Sequence, residues 1–457
     1  MDLRDYQQTA LDVARDFYQG GYRSVLLVAP TGAGKTWIAA AVVRGVLEKG
    51  GTVLILAHLR VLVQQMVDSL RQQGVSASVM MGGQRNLSGA VIVGTPHTWN
   101  LLADTERPDV DLLLVDEAHH IDEGLYADVV SHYERIGTRV LGFTATPLKS
   151  TLRHFNVHHV ATDPLSLLDR GVLCPSRYYV RDFSDTERDI RNPVRYASVF
   201  EEWCKFSAGR RTLAFCDSVA ESRQLAAHFV ERGIPAHHVD AHTPKGEREW
   251  VNTEHAAGRI LLVSNVGIYL EGFDNPAIET VLLLRKVPAQ HAQDQVFRYV
   301  QMVGRGLRTY PGKDICHILD FCGYYATYGR AEEYIPDFSE ESRMERLEGS
   351  RFKTCPECFA RVPNVYSACP DCGFPFPVGA NTLEAENDIG RVDAVLSEVS
   401  EEETLRNKRR IQQLRKQAAM ATSFEQVRRI GEQLGYRPGW AHIYWRAKNQ
   451  RRQLRKR

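Results

Sequence analysis

Two acidic residues and two histidines lie side by side in the stretch LLLVDEAHHID, residues 112–122. Such side chains could form a metal-binding cage, an acid–base hydrolase site or part of a nucleotide-hydrolysing site. A pair of zinc-binding histidines on one helix is spaced i, i+4, whereas His119 and His120 are adjacent. Taken alone, this stretch leaves the three kinds of site open, and motifs elsewhere in the chain have to separate them.

The stretch APTGAGKT, residues 29–36, stands between an apolar run and a helix-like pattern. It matches the pattern of a phosphate-binding loop, with an alanine at the first glycine position. The backbone N–H groups of such a loop, and the N-terminus of the helix that follows it, bind phosphates. We therefore expect Lys35 to reach the β- and γ-phosphates of ATP and Thr36 to bind Mg²⁺.

Beside a phosphate loop, the acidic pair has a specific interpretation. An apolar strand that ends in Asp116 and Glu117 is typical of the second, carboxylate-bearing strand of such a site. We expect Asp116 to bind Mg²⁺ and Glu117 to orient and deprotonate the attacking water. His119 is then a residue that couples hydrolysis to other events, and His120 is a solvated neighbour. The sequence thus favours ATP hydrolysis over a metal cage.

The elements that position these residues are predicted by the first 330 residues, in which short apolar runs alternate with helix-like stretches. This pattern predicts parallel sheets covered by helices on both faces, with ligands bound at the carboxyl ends of the strands. The rhythm restarts after Thr162, so we expect two α/β domains, residues 1–160 and 161–335. The expected strands include SVLLVAP, TVLILAH, AVIVGT, DLLLVDE and RVLGFTATP in the first domain, and RTLAFCDS, AHHVDA, RILLVSN, TVLLLRK and ICHILDF in the second.

Six motifs in a fixed order carry a family resemblance: LRDYQQTAL, APTGAGKT, DEAH, GFTATP, LEGFDNPAIE and QMVGRGLR. Over residues 2–330 the chain resembles the superfamily 2 helicases and translocases of the DEAH-box type. The resemblance implies two tandem RecA-like parallel-sheet domains with ATP between them. It also implies a nucleic acid that lies across both domains and is held mainly by its backbone.

The resemblance also assigns roles to individual residues. The implied catalytic residues are Lys35, Asp116, Glu117, Arg305 and Arg308, and the two arginines neutralise charge on the γ-phosphate. The implied nucleotide contacts are Gln7, Gly32, Gly34, Lys35, Thr36, Asp116, His119, Gly272, Asp274 and Gln301. Coupling of hydrolysis to strand binding is implied at Thr144 and Thr146, and contacts to the nucleic-acid backbone at Arg60, Gly94 and Thr95.

Two CxxC pairs, Cys355–Cys358 and Cys369–Cys372, are separated by ten residues within a short module, residues 350–378. Two such turns at this separation suit one Zn²⁺ ion bound by four thiolates, which is a closed and therefore structural site. A redox-active CxxC pair is the alternative. The remaining cysteines are expected to be small buried apolar side chains: Cys174, Cys204, Cys216, Cys316 and Cys322.

The net charge of +1 hides a strong segregation of charge in the C-terminal part of the chain. Residues 379–403 hold eight acids and one arginine and are expected to form an acidic linker. Residues 404–457 hold 16 Lys and Arg against two acids. We expect this basic tail to be mostly helical and to contact nucleic acid, with Trp440, Tyr444 and Trp445 available for stacking on bases. A solvated solubility segment and a small helical hairpin with an aromatic core are the alternatives.

A helicase core followed by a four-cysteine module also resembles the RadD-like helicases of bacteria and phages. This narrower resemblance implies an ATP-dependent DNA helicase or translocase in repair, recombination or replication, with ATP, Mg²⁺ and Zn²⁺ as its cofactors. We expect DNA to be favoured over RNA. An RNA helicase, and an ATPase that remodels or binds nucleic acid without unwinding it, are the alternatives.

The sequence gives further expectations about partners and cellular location. It has no apolar run of the roughly 20 residues that cross a bilayer, and its first residues are too charged for a signal peptide. Four of the nine cysteines lie in the CxxC pairs and five are scattered, which is typical of a reducing compartment. We therefore expect a monomer in the cytoplasm of a bacterial or phage-infected cell, without a membrane partner. Its expected protein partners are single-strand-binding protein or other repair factors.

Overall fold

A computed structural model of the protein describes residues 3–121, 124–181, 194–270, 272, 275–285, 292–334, 352–354, 361–363, 394–399, 417, 420–433 and 445. The chain divides into two compact units, one formed by Met1–Tyr334 with Asp388–Glu398 and the other by Ile335–Asn387 with Val399–Arg457. Both large sheets belong to the first unit.

The first sheet has eight strands in the order β4-β3-β5-β2-β6-β7-β1-β8. Its strands are β1 (Ser24–Val28), β2 (Val53–Leu56), β3 (Ser78–Met81), β4 (Gln84–Arg85), β5 (Val91–Gly94), β6 (Leu112–Val115), β7 (Arg139–Thr144) and β8 (Val157–Val160). All neighbours pair in parallel except β3 with β4. The central strands are continuous apolar runs because both of their faces are buried.

Helices pack on this sheet; α1 precedes its first strand, and the others lie between its strands along the chain. They are α1 (Asp5–Gln19), α2 (Lys35–Leu47), α3 (Arg60–Gln72), α4 (Pro96–Asn100), α5 (Gly124–Arg135) and α6 (Lys149–Leu152). Apolar residues of α1, α2 and α3 pack with those of the strands in one buried cluster. This cluster fixes these helices against the sheet. Each loop that connects a strand to one of these helices is therefore held at both of its ends.

The second sheet has seven strands in the order β11-β12-β10-β13-β14-β9-β17. The strands from here to the end of the chain are β9 (Ser176–Arg181), β10 (Thr212–Phe215), β11 (Ala236–Val239), β12 (Leu262–Asn265), β13 (Thr280–Leu283), β14 (Cys316–Asp320), β15 (Phe352–Thr354), β16 (Arg361–Pro363) and β17 (Leu396–Glu398). The helices whose bounds lie within the described residues are α7 (Pro164–Asp169), α8 (Tyr196–Ser207), α9 (Val219–Glu231), α10 (Lys245–Ala256), α11 (Ala292–Gly306), α12 (Tyr324–Tyr328) and α13 (Phe424–Gln433). The expectation of two mainly parallel α/β sheets is confirmed.

Three adjacent strands of the first sheet, β6, β7 and β1, bring the predicted motifs to one edge. β1 ends at Val28, directly before the phosphate loop, and pairs with β7 so that Val28 lies opposite Thr144. β6 ends at Val115, directly before Asp116, and pairs in parallel with the same β7. Since the carboxyl ends of parallel strands meet at one edge of a sheet, three segments that are far apart in sequence become neighbours.

An edge strand that the sequence analysis did not predict completes the second sheet. β17 lies inside the stretch that we expected to be an acidic linker, and it pairs in antiparallel fashion with β9. Ala394 and Leu396 are buried in the core of the second domain. The backbone N–H of Leu396 donates to the Glu202 carboxylate at 3.1 Å, and Arg177 forms an ion pair with Glu398 at 3.2 Å. The chain beyond the helicase-like motifs is thus attached to the second sheet.

In the described part of the second unit, two strands form a hairpin and Phe424–Gln433 forms a helix. β15 and β16 pair in antiparallel fashion, with Thr354 opposite Arg361. α13 is amphipathic, and the buried side chains of Val427 and Ile430 lie on one face of it. Across the described residues of both units, no helix is long and apolar enough to cross a membrane.

Candidate nucleotide site

The phosphate loop joins β1 to α2 through two glycines in the left-handed backbone region. Gly32 has a φ of 85° and Gly34 a φ of 78°, a conformation that other residues rarely adopt. A side-chain carbon at Gly34 would lie only 2.6 Å from the amide nitrogen of Gln7. The Gln7 amide and the Tyr6 hydroxyl both donate to the carbonyl of Ala33, at 3.0 and 2.9 Å. α1 therefore holds the loop at Ala33, between its two glycines.

Two opposite charges face each other across the space where phosphates would bind. Lys35 is the first residue of α2, and its Nζ lies 3.9 Å from Oε1 of Glu117 and 3.4 Å from the carbonyl oxygen of Ala29. The phosphate loop and the carboxylate strand thus converge on one another, as the sequence analysis expected. A lysine in this position can bind phosphate oxygens, while the glutamate can accept a proton from a water molecule.

Glu117 has a strained backbone, with φ 46° and ψ 54°. It is the only residue other than glycine with a positive φ among those that the structure describes. Such strain, of the order of 1–3 kcal/mol, persists where the surrounding structure over-determines it, and it is common at active sites. The backbone N–H of Glu117 donates to Oδ1 of Asp116 at 3.0 Å, so the turn fixes both carboxylates together.

The neighbouring carboxylate, Asp116, is in an environment that disfavours its charge. Burial, together with the negative charge of Glu117, raises the pKa of Asp116 to about 6, while the Lys35 ammonium acts in the opposite direction. A divalent cation at Asp116 would favour the ionised carboxylate. The oxygen donors available there, the Asp116 carboxylate and the Thr36 hydroxyl, are of the kind that Mg²⁺ prefers. The residues therefore fit Mg²⁺ bound together with a nucleotide.

A continuous line of polar contacts leads from Glu117 to the second domain. His119 Nδ1 lies 3.4 Å from Oε2 of Glu117 and 3.1 Å from Oγ1 of Thr144. The backbone N–H of Thr146 donates to the same Thr144 hydroxyl at 3.1 Å. In α11, Nε2 of Gln301 donates to Oγ1 of Thr146 at 3.5 Å. We call these five residues the polar relay; both threonines in it are buried.

α11 also reaches the phosphate loop directly. A side-chain carbon at Gly304 would lie 3.2 Å from Cβ of Thr31, a tight contact, so glycine favours this close approach of the helix. Arg305 is 8% exposed, and its guanidinium donates to the carbonyl of Leu270. Arg308 is partly buried and forms an isolated bridge with Leu173. Arg305 thus lies one helical turn after Gln301 in α11, and Arg308 follows two residues after the end of the helix.

Gly272, a predicted nucleotide contact, lies against α3 of the first domain. Its carbonyl accepts a hydrogen bond from Nε2 of Gln65 at 3.0 Å, and a side-chain carbon at Gly272 would lie 2.6 Å from Cγ1 of Val61. Its φ of 68° also favours glycine. Asp274, predicted with it, lies outside the described residues.

The three predicted nucleic-acid contacts differ in exposure. Arg60 is exposed at the start of α3, where a nucleic acid could reach it. Gly94 is buried, and a side chain there would meet the carbonyl oxygen of Met80 at 2.6 Å. Thr95 is 7% exposed and is the N-cap of α4, where its hydroxyl accepts from the backbone N–H of Thr98. The identities of Gly94 and Thr95 therefore have a structural explanation.

Residues near the site that the sequence analysis missed include His58. Its ring lies 4.1 Å from that of His120, which in turn lies 4.3 Å from that of His119. His120 thus contacts the rings of both His58 and His119, at interplanar angles of 39° and 38°, and is partly buried. His58 follows the apolar run of β2, and this position at a carboxyl strand end was the available signal.

The cysteines give a mixed result. Cys174, Cys216, Cys316 and Cys322 are buried as expected, but Cys204 is exposed, so the prediction for Cys204 was wrong. It occupies a solvent-facing position of the amphipathic helix α8. The predicted zinc ligands Cys355, Cys358, Cys369 and Cys372 lie outside the described residues. Within the described ranges, no group of three or more His, Cys, Asp or Glu residues is placed to hold a metal ion.

Two family models match the domains that carry this site. The model "Type III restriction enzyme, res subunit" matches residues 1–149, and the model "Helicase conserved C-terminal domain" matches residues 196–310. The chain carries the two domains of a superfamily 2 helicase. Its two matched domains are those of a nucleic-acid-dependent ATPase, and such helicases use ATP with Mg²⁺.

Proteins similar to this helicase come from different sources. A 51.5 kDa protein of Lactococcus phage (isolate 7-9) is 25% identical over 82% of this chain and 82% of its own length. IRC3 of Saccharomyces cerevisiae, an ATP-dependent helicase by name, is 26% identical over 70% of this helicase, which spans only 51% of the yeast protein. The structure of LlaBIII, an ATP-dependent Type ISP restriction-modification enzyme bound to DNA, matches with a TM-score of 0.53 at 19% identity, over 70% of this chain and 27% of that one. This last likeness shows the fold.

Proposed function

We propose that this helicase is an ATP-dependent DNA motor, which hydrolyses ATP at the edge of its first sheet and uses the energy to translocate on DNA or to separate its strands. The observation that carries the proposal is the polar relay. It connects the carboxylate that would activate water, Glu117, to Gln301 on the second domain. Residues that respond to hydrolysis in the first domain and also contact the second domain can convert the loss of the γ-phosphate into a movement of one domain relative to the other.

The phosphate side of the proposed site belongs to the first domain. Lys35 binds the β- and γ-phosphates, and Thr36 and Asp116 hold Mg²⁺. Bound Mg²⁺ supplies positive charge that stabilises the phosphate oxygens. Asp116, whose pKa burial and Glu117 raise to about 6, is ionised when it binds the cation. The loop glycines Gly32 and Gly34, with their positive φ, allow the turn from which backbone N–H groups of such loops contact phosphates.

Hydrolysis then depends on groups from both domains. Glu117 orients the attacking water and accepts its proton, and its Oε1 lies 3.9 Å from Nζ of Lys35. Arg305 and Arg308 neutralise the charge that develops on the γ-phosphate. The further nucleotide contacts that we propose are Gln7, His119, Gly272, Asp274 and Gln301.

Several features favour DNA as the polymer. The family model of the first domain is named after a restriction enzyme, and LlaBIII is bound to DNA. The basic tail, with 16 Lys and Arg between residues 404 and 457, suits a polyanion. Arg60 is exposed, and it is a proposed contact together with the backbone of Gly94 and Thr95. Roles in DNA repair, recombination or replication, as in RadD-like helicases, belong to the same proposal.

The four cysteines Cys355, Cys358, Cys369 and Cys372 are proposed to bind one structural Zn²⁺ ion. In the sequence, the first pair lies between β15, which ends at Thr354, and β16, which begins at Arg361. A CxxC pair between two hairpin strands is a common arrangement in zinc-binding modules. Elemental analysis of the folded protein should give about one zinc per chain. Much less than this would contradict the site.

The proposal is tested by steady-state ATP turnover without polymer and with single-stranded DNA, duplex DNA, forked DNA or RNA, at one salt concentration. We expect one DNA form to stimulate turnover most strongly and K35A to abolish it. Stimulation by RNA alone would contradict a DNA motor and indicate an ATPase that remodels RNA. The DNA form that stimulates turnover is then used in a strand-displacement assay. Stimulated turnover without displacement would identify a translocase or remodelling ATPase.

A further inference from the structure

A buried lysine outside the motifs lies beneath the arginine-bearing segment. Lys313, in the loop between α11 and β14, is only 8% exposed. Its ammonium group donates to three backbone carbonyls: those of Gly306 at 2.6 Å, Arg308 at 2.8 Å and Pro276 at 3.4 Å. Three carbonyl oxygens match the three N–H donors of an ammonium group.

The position of Lys313 relative to α11 gives these bonds a specific effect. Gly306 is the last residue of α11, and the last carbonyls of a helix have no partner within it. A lysine that donates to them satisfies these acceptors and interacts favourably with the helix dipole. The end of α11 carries Arg305, and Arg308 follows two residues after the helix. Lys313 therefore holds the backbone at Arg308 and at Gly306, the residue after Arg305.

Other contacts hold the same segment from other sides. The backbone N–H of Cys174 donates to the carbonyl of Leu307 at 2.7 Å. A side-chain carbon at Gly306 would lie 2.5 Å from Sγ of Cys316. The helix end is thus pressed against β14 and joined to the connection between the two domains. Lys313 adds the bond to Pro276, four residues after Gly272, and so links the arginine segment to the loop that follows β12.

Burial makes this arrangement costly, since it lowers the pKa of Lys313 from its ordinary value. Buried charged groups with complete hydrogen bonding can select one geometry among several that are similar in packing. Arginine side chains that neutralise a γ-phosphate need such a fixed backbone, because a displacement of about 1 Å can slow a reaction roughly 100-fold.

We propose that Lys313 is a positioning residue for ATP hydrolysis, which fixes the backbone of Arg305 and Arg308 relative to the loop at Pro276. The inference rests on the proposed function, in that it takes the two arginines to act on the γ-phosphate. Lys313 itself is too deeply buried to reach the nucleotide. Its effect is therefore on the rate of hydrolysis rather than on the binding of ATP.

The test measures single-turnover ATP hydrolysis, and the KM for ATP at steady state, by the full-length protein with saturating single-stranded DNA and without polymer. We expect K313M to slow hydrolysis roughly 10- to 100-fold, with the KM for ATP little changed. K313R, which retains charge and donors, should recover part of the rate. The matched control is K245M, because the Lys245 side chain is 85% exposed on α10. This variant should hydrolyse ATP like the unchanged protein. If K313M folds poorly, K313Q keeps amide donors and serves in its place.

A double-mutant cycle separates positioning from general stability. R308K alone should slow hydrolysis, and adding K313M to R308K should slow it much less than K313M does alone, because the arginine is already impaired. Independent, multiplying losses would overturn the positioning role, as would a normal rate in K313M or an effect on KM alone. If R308K and R305K hydrolyse ATP normally, the proposed function fails instead, which distinguishes the two outcomes.

Discussion

Glu117 combines a strained backbone with contacts to two charged or titratable neighbours. Its φ is 46°. Its Oε1 lies 3.9 Å from Nζ of Lys35, and its Oε2 lies 3.4 Å from Nδ1 of His119. Only a side chain held in place by its surroundings would persist in this backbone region. The position is thus suited to a carboxylate that must meet one water molecule in a fixed orientation.

E117Q tests this role at the residue scale. Glutamine retains the size of the side chain but cannot accept a proton, so we expect ATP to bind and hydrolysis to slow by roughly 100-fold or more. K35A should lose both binding and hydrolysis, because it removes a phosphate contact. Nucleotide binding by fluorescence and hydrolysis by phosphate release measure the two effects. E249Q, at an exposed position of α10, is the control, and normal turnover by E117Q would refute the assignment.

At the scale of elements, β17 joins the chain beyond the helicase-like motifs to the second domain. Its three residues pair with β9, and Leu396 is 1% exposed in the core of the second domain. Glu202 accepts the backbone N–H of Leu396 and is itself buried. Removing the strand would leave this carboxylate without that donor and would also expose the edge strand β9.

L396A is expected to destabilise the second domain by about 2–4 kcal/mol, the usual cost of truncating a buried leucine. The adjacent V395A is a matched control, because Val395 is 69% exposed, and its free energy of unfolding should change by less than about 0.5 kcal/mol. The rate of amide hydrogen exchange in β9 and α8 measures this loss of stability next to the substituted residue. Equal exchange in the two variants would show that β17 does not contribute to the stability of the domain.

For the whole molecule, two buried histidines make the second domain sensitive to acid. Burial lowers the pKa of both His255 and His317 to about 4, and the nearby cations Arg211 and Arg210 act in the same direction. Their folded pKa lies below the unfolded value of about 6.5, so below that pH the unfolded chain binds protons that the folded chain does not. Stability is therefore complete above about pH 6.5 and is lost as the pH falls toward 4.

This acid sensitivity is measured by denaturant unfolding of the full chain between pH 7 and 4.5, followed through the second domain. We expect each histidine to contribute a loss of up to about 3 kcal/mol across the whole interval between the two pKa values. H255Q should lose less stability on acidification than the unchanged protein. H97Q, at an exposed position, should behave like the unchanged protein. An identical pH dependence in H255Q would contradict the prediction.

Sequence patterns predicted the parts of the molecule in which local chemistry determines structure. The phosphate loop could be recognised because its glycines and lysine have fixed spacing, and the central strands because they are apolar on both faces. β17 was missed because it is short, lies within an acidic stretch and gains its stability from β9, which is far away in sequence. Lys313 was missed for a related reason, since nothing in its local sequence reveals the three carbonyls that surround it.

The polar relay also depends on long-range placement, because Gln301 meets Thr146 only when the two domains are folded together. The most direct test is the ratio of ATP turnover with and without the polymer that stimulates it best. We measure this ratio in T146V and in the control T151V, whose threonine is also fully buried but lies outside the relay. The ratio should fall toward one in T146V, with ATP binding retained, and stay normal in T151V. A normal ratio in T146V would contradict coupling through the relay.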